Sequence, residues 1–152
     1  MSRIATWIVL LAVVNLTGLP SSWAQARPSW RGGGGWGPGS TYGRMYDPRT
    51  IETFSGTVVS VTKIAPMTGM AAGVHIMVKT EKESVSVHLG PAWYIENQDV
   101  KIEPRDAVEV KGSRVTVSGE PAIIAAEVKK GDDLLRLRDE AGLPAWSAWR
   151  RR

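Results

Sequence analysis

The sequence contains no cysteine. Disulfides, thiolate metal sites, cysteine nucleophiles and c-type haem attachment are therefore excluded. Histidine is scarce, with only His75 and His88, and phenylalanine occurs once. No glycine-rich phosphate loop stands at a strand–helix junction, since the glycine run at residues 32–35 falls in an aliphatic-poor stretch. Ser84 and Ser86 lie near His88, but neither an elbow motif nor an orienting acid accompanies them. No catalytic set is visible, so the chain is not expected to be an enzyme. After the first 26 residues no stretch is long and apolar enough for a membrane-spanning helix.

A body-wide excess of positive charge is missing as well. The full chain carries 19 Lys and Arg against 15 Asp and Glu, yet between Asp47 and Leu143 there are 12 basic and 15 acidic residues. The positive excess sits at the ends, in Arg27, Arg31, Arg44 and the three terminal arginines, residues 150–152. Nucleic-acid binding needs a basic patch on the domain itself, so nucleic acid is not expected as a partner. Three terminal arginines allow only weak contact with phospholipid headgroups.

What is present divides the chain into regions. Residues 1–26 carry a positive start at Arg3, an apolar run from Ile4 to Leu16 and a small-x-small pattern at Ala24-Gln25-Ala26. That is the pattern of a cleaved secretory signal, so a periplasmic or secreted mature chain is expected. Residues 27–46 are rich in glycine and poor in aliphatics, which predicts a flexible tether. Trp30, Trp36, Tyr42 and Tyr46 are conspicuous within it as groups that could dock on something. Residues 47–149 form the folded domain with its C-terminal extension, and residues 150–152 a basic tail.

The domain is organised around Val74 to Asp99. Val74, Ile76 and Val78 alternate with His75, Met77 and Lys79, and Val85, Val87 and Leu89 alternate with Ser84, Ser86 and His88. Period-two alternation predicts two strands with one buried and one wet face. Opposed residues of an antiparallel pair share a face, so inward residues of opposite parity require paired numbers with an odd sum. A reversal at Glu81-Lys82 satisfies this and sets Ile76 against Val87 and His75 against His88. The histidines should then stand side by side on the outer face, with Met77 as a diagonal neighbour.

Further strands are expected at Thr53 to Thr62, at Ala107 to Lys111 and Arg114 to Ser118 as a hairpin, at Ala122 to Lys129, and at Leu134 to Arg138 with Arg136 and Arg138 outward. Gly56 suggests a bend in the first strand. Pro91 to Gln98 reads as a short helix. Three strands, a helix and two more strands is the order of an OB barrel; the fold class is all-β with one short helix and an extra C-terminal strand. A β-sandwich is the alternative architecture.

Two sites are candidates. Neutral imidazoles on adjacent strands can ligate one metal ion, and thioethers from Met77, Met67 and Met70 would favour Cu(I). His75, His88 and Met77 are thus candidate ligands, with copper or iron as candidate metals; two exposed histidines on a polar face is the competing reading. Gly90-Pro91-Ala92-Trp93-Tyr94 offers Trp93 and Tyr94 either as a stacking platform for a flat ligand such as haem or as a plug on the barrel end.

The segments YDPRTIETFSGTVVSV, GVHIMVKTEKESVSVHLGPAWYIENQD, PRDAVEVKGSRV and AIIAAEVKKGDDLLRLRDEAGLPAW together resemble the domain shared by the magnetosome proteins MamS and MamX. VHLGPAWY, from Val87 to Tyr94, is the most specific piece. The resemblance implies a periplasmic OB-like domain linked to iron or redox handling. MamX carries haem-attachment motifs that this cysteine-free chain lacks. The spacing of His88 and Tyr94 is also similar to exported haem chaperones of cytochrome c maturation, and the layout to small periplasmic copper carriers. An exported binding or accessory module is expected: handling metal, recruiting a protein partner in the cell envelope, or binding haem.

Overall fold

The computed structural model describes residues 32–149; the expected export signal, the first residues of the expected tether and the basic tail lie outside them. The strands are β1 (Ile51–Ile64), β2 (Gly73–Lys79), β3 (Ser84–Pro91), β4 (Ala107–Val117), β5 (Glu120–Lys130) and β6 (Asp133–Arg136). A short helix, α1 (Ala92–Ile95), falls between β3 and β4, and α2 (Trp146–Trp149) ends the described chain. The strands are ordered β3-β2-β1-β4-β5-β6, and β3 also pairs in parallel with β5. That last pairing closes β1 to β5 into a ring, in the order of an OB barrel. Closure removes the edges that a lone five-stranded sheet would expose.

Cross-strand rows of aliphatic side chains fill the ring. Val58, Val78 and Val85 form one row, Ile76, Val87 and Ile123 another, and Val110 faces Val128. All are buried. β-branched side chains suit this pleated, enclosed surface, and their burial is the main favourable term in closing the ring. The β2–β3 register follows the parity argument: His75 pairs with His88 and Ile76 with Val87. The turn between them is held by Thr80, whose hydroxyl accepts from the Lys82 and Glu83 amides while its own amide donates to the Glu83 carbonyl. A threonine side chain therefore does what an Asn-Gly pair would otherwise do.

The structure corrects the expected hairpin at Gly112-Ser113. Ala107 to Val117 is one strand, paired along its length with β5. Gly112 is not a turn residue. It lies in the ladder beside a register shift, where a Cβ would come within 2.5 Å of the Ile124 carbonyl oxygen. The glycine is required for close backbone approach, the other common reason for glycine within a strand.

The described part of the expected tether is corrected too. Residues 32–46 are packed on the barrel, with Trp36 and Tyr42 only 1 % exposed and Tyr46 also buried. Composition argued for a free segment because aliphatics are few. Three aromatic rings supply the missing apolar area, each able to bury about 150–250 Å².

Candidate functional site

On the outside of the ring one row runs across the sheet: Thr62, His75, His88, Ile124 and Ser113, each paired with the next. The strap formed by residues 36–50 crosses this row. Trp36 donates its indole N–H to the Ala71 carbonyl at 2.9 Å, and its ring lies where a Cβ on Gly73 would stand. Tyr42 meets His88, and the Asp47 amide and Thr50 hydroxyl meet the Ser113 hydroxyl at 3.0 and 2.8 Å. At the C-terminal end Trp146 packs edge-on to Trp36 and donates its indole N–H to the Trp36 carbonyl at 2.8 Å.

The histidines are therefore on the outer face of the barrel but not exposed. His75 and His88 are 5 % and 6 % exposed, which corrects the expectation of a wet face. Alternation reveals which side of the sheet a residue takes; it says nothing about a second layer on that side. Their rings stack at 3.9 Å between centroids and 9° between planes, and the Tyr42 ring continues the column at 5.9 Å and 14° from His88. Tyr42 Oη lies 3.0 Å from His88 Nδ1. Burial raises the Tyr42 phenol pKa, so the hydroxyl keeps its proton. Whichever of the two groups donates, His88 Nδ1 is engaged by the phenol. Burial pushes the His75 pKa down to about 4. Burial and then the neighbouring His75 push His88 down to about 3. Both rings are thus neutral at pH 7. His75 Nε2 is buried without a hydrogen-bond partner.

Neutral imidazoles meet one requirement of a metal site, but the geometry does not fit a chelate. Imidazole lone pairs lie in the ring plane, so nearly parallel stacked rings send them side by side rather than towards one ion. One candidate nitrogen, His88 Nδ1, is already engaged by Tyr42. Met77 shares the histidines' face two residues along β2, half-buried and opposite Ser86. Met67 and Met70 are partly buried against the hydrophobic core. Among the described residues no group of three or more His, Asp or Glu is placed to hold a metal ion.

Trp93 and Tyr94 do not form a flat platform, since their rings are edge-on, 83° apart. Tyr94 is buried and tilts onto Trp146 at 5.5 Å. The sequence marked Trp36 and Tyr42 as groups that could dock, but did not place them, Trp146 or Arg138 over the histidine face. Arg138 was expected outward, yet it is 4 % exposed, with its guanidinium 5.3 Å from the Tyr46 ring centre and 5.0 Å from that of Trp146. The alternation of β6 does not extend to it, because the strand ends at Arg136 and both Leu137 and Arg138 donate their amides to the same carbonyl, that of Ala126. The cluster of aromatics in a glycine-rich stretch was the available signal for the strap.

The fold and this covered face define a small closed OB-type barrel whose β2–β3 surface, the usual ligand face of such barrels, is occupied by the chain's own N-terminal strap. The chain belongs to the MamS/MamX magnetosome protein family, whose model matches residues 50–135. That span covers β1 to β5 and most of β6, and includes both histidines, while the strap, Arg138 and Trp146 lie outside it. Among curated proteins no match was found. Among the described residues no helix is long and apolar enough to cross a membrane.

Proposed function

We propose that the chain is an exported, non-enzymatic accessory module of the cell envelope that docks a protein partner. One observation carries this reading. Val61 of β1, 36 % exposed, borders a groove of about 320 Å³, and β1 also carries the exposed Val59 and Ile64. Val74, Leu89, Ile95 and Ile102 line its floor and walls. Exposed apolar residues clustered on one strand beside a groove are the usual mark of an interaction surface. The rim is of mixed sign, with Lys63 ion-paired to Glu96, and Lys101 and Glu103 close by. Mixed charge around an apolar floor suits a protein segment better than nucleic acid or an anionic membrane. The description of the family as one of magnetosome proteins is consistent with an accessory role.

The test is photo-crosslinking from position 61 in the native envelope, followed by binding of the purified partner to wild type, Val61→Glu and a control Lys82→Glu. The expected result is one specific crosslink and at least a tenfold loss of affinity in Val61→Glu alone. Equal affinity across the three would overturn the groove as the docking surface. Titration with Cu(I), Cu(II) and Zn(II) distinguishes metal handling: wild type and the His75→Ala/His88→Ala double variant should behave alike. A stoichiometric site lost in the double variant would replace the interaction reading with the metal one.

A further inference from the structure

Besides His75 Nε2, two side-chain atoms among the described residues are buried and without a hydrogen-bond partner, Tyr46 Oη and Arg138 Nε. These two belong to one contact, because the Arg138 guanidinium lies over the Tyr46 ring. Both residues line a cleft of about 240 Å³, together with Lys111, Glu127, Arg136 and Asp139.

A guanidinium carries five N–H donors. Buried cations are ordinarily paired with an anion, because losing hydration is costly. Among the described residues no carboxylate is ion-paired to Arg138. Its single hydrogen bond runs from Nη1 to the Gly142 carbonyl at 3.2 Å, and its other neighbours are the faces of Tyr46 and Trp146. Of the three acids that line the cleft, Glu127 faces Arg136 at 3.6 Å, Asp139 Oδ1 accepts the Ala141 and Leu143 amides at 3.0 and 2.8 Å, and Glu140 is exposed; none of them is ion-paired to Arg138. Burial lowers the Arg138 pKa, as expected for a cation without a counter-charge. Two unfilled donors beside a cleft of this size define what is missing, an oxygen acceptor that carries negative charge.

We propose that the cleft binds a small oxyanion of the phosphate class, held by the Arg138 Nε–H and the Tyr46 O–H, with the exposed Lys111 on its rim. Both donors are closed to solvent, so binding requires a local opening of the cleft. Free phosphate and a phospholipid headgroup share this chemistry. The site is separate from the β1 groove, and substitutions there leave it unaffected.

The experiment follows the Arg138 Nε–H resonance in the nitrogen-labelled folded protein during titration with inorganic phosphate. Chloride at equal ionic strength is the control. Vesicles of phosphatidylglycerol, compared with phosphatidylcholine, form the second arm. Tyr46→Phe keeps the ring under the guanidinium and removes only the hydroxyl, so it serves as the variant that still folds. The expected result is a saturable shift with phosphate or with phosphatidylglycerol vesicles, the responding arm identifying the source. Affinity in Tyr46→Phe should fall about tenfold, the loss of one hydrogen bond to a charged group. No saturable shift in either arm would mean that water fills the two positions, and would overturn the proposal. So would equal affinity in wild type and Tyr46→Phe.

Discussion

The interior of the barrel and the layer outside its β2–β3 face are both buried, yet they are held by different forces. Inside, rows of Val and Ile meet across strands, and no polar side chain belongs to the rows. Outside, the strap contributes Trp36, Tyr42 and Tyr46, the barrel contributes two histidines, and the C-terminal segment contributes Arg138 and Trp146. Among the described residues the three buried side-chain polar atoms without a partner, His75 Nε2, Tyr46 Oη and Arg138 Nε, all lie in this outer layer. Aliphatic burial is non-directional and tolerant of small shifts. A layer of stacked rings and ring-edge hydrogen bonds depends on orientation, and partly satisfied polar groups in it are costly. The outer layer should therefore open before the barrel does, as a local transition below global unfolding.

Acid should separate the two most strongly. Among the described residues the barrel interior buries nothing that titrates, while the outer layer buries two imidazoles. Their pKa values of about 4 and about 3 in the folded chain lie below the ordinary value of 6.5. Unfolded or released histidine thus binds protons first. Stability from this layer is complete above about pH 6.5 and is lost as the pH falls from there through 4 and 3. Amide exchange measured from pH 7 to pH 4 should show protection of residues 36–46 fading while Ile76 and Val87 remain protected. Simultaneous loss at both places would show a single cooperative unit and dissolve the comparison.

Truncation should give the next largest effects, equal in size but different in reach. Trp36→Ala and Ile76→Ala each remove a side chain that is 1 % exposed. Costs of about 3–5 and about 2–5 kcal/mol are expected from such deletions. The first should act locally, loosening the backbone around the already exposed Arg44 and Arg49 so that trypsin cleaves there, while the denaturation midpoint of the barrel stays near wild type. The second should lower that midpoint directly. A large midpoint drop in Trp36→Ala would mean that the strap is part of the barrel's cooperative core.

The smallest expected effect is that of Tyr42→Phe, which keeps the stacked ring and removes the hydroxyl on His88 Nδ1. Leaving that nitrogen unpaired should cost about 1–3 kcal/mol. It should appear as faster exchange in the strap, with the acid transition of the strap moved to higher pH. An unchanged acid transition would show that the Tyr42–His88 bond contributes nothing to closure.

The barrel was legible because its signal is periodic. Parity, with a reversal centred on Glu81-Lys82, gave the pairing of His75 with His88, and the helix between the third and fourth strands indicated the ring order. What escaped depends on contacts between distant segments. Gly112-Ser113 has the composition of a turn, and only the nearness of Ile124 explains the glycine. Arg138 follows a strand whose alternation stops before it. The strap carries too few aliphatics to be read as buried, and its partners lie on three separate stretches of chain. Period two identifies the faces of a sheet, but a face can be dry for reasons written elsewhere in the sequence.

The indole N–H of Trp146 donates to the Trp36 carbonyl across 110 residues of sequence. In a chain made from its N-terminus the strap is produced before the barrel and its clasp after it. Throughout synthesis the strap has no surface to settle on until β2, β3 and β5 have joined, and no clasp until α2 appears. Loop-closure entropy and the need for a finished surface both place this step at the end of folding. For that interval the histidine face of the young barrel stands open, and the maturing chain passes through a form whose binding surface differs from that of the finished one.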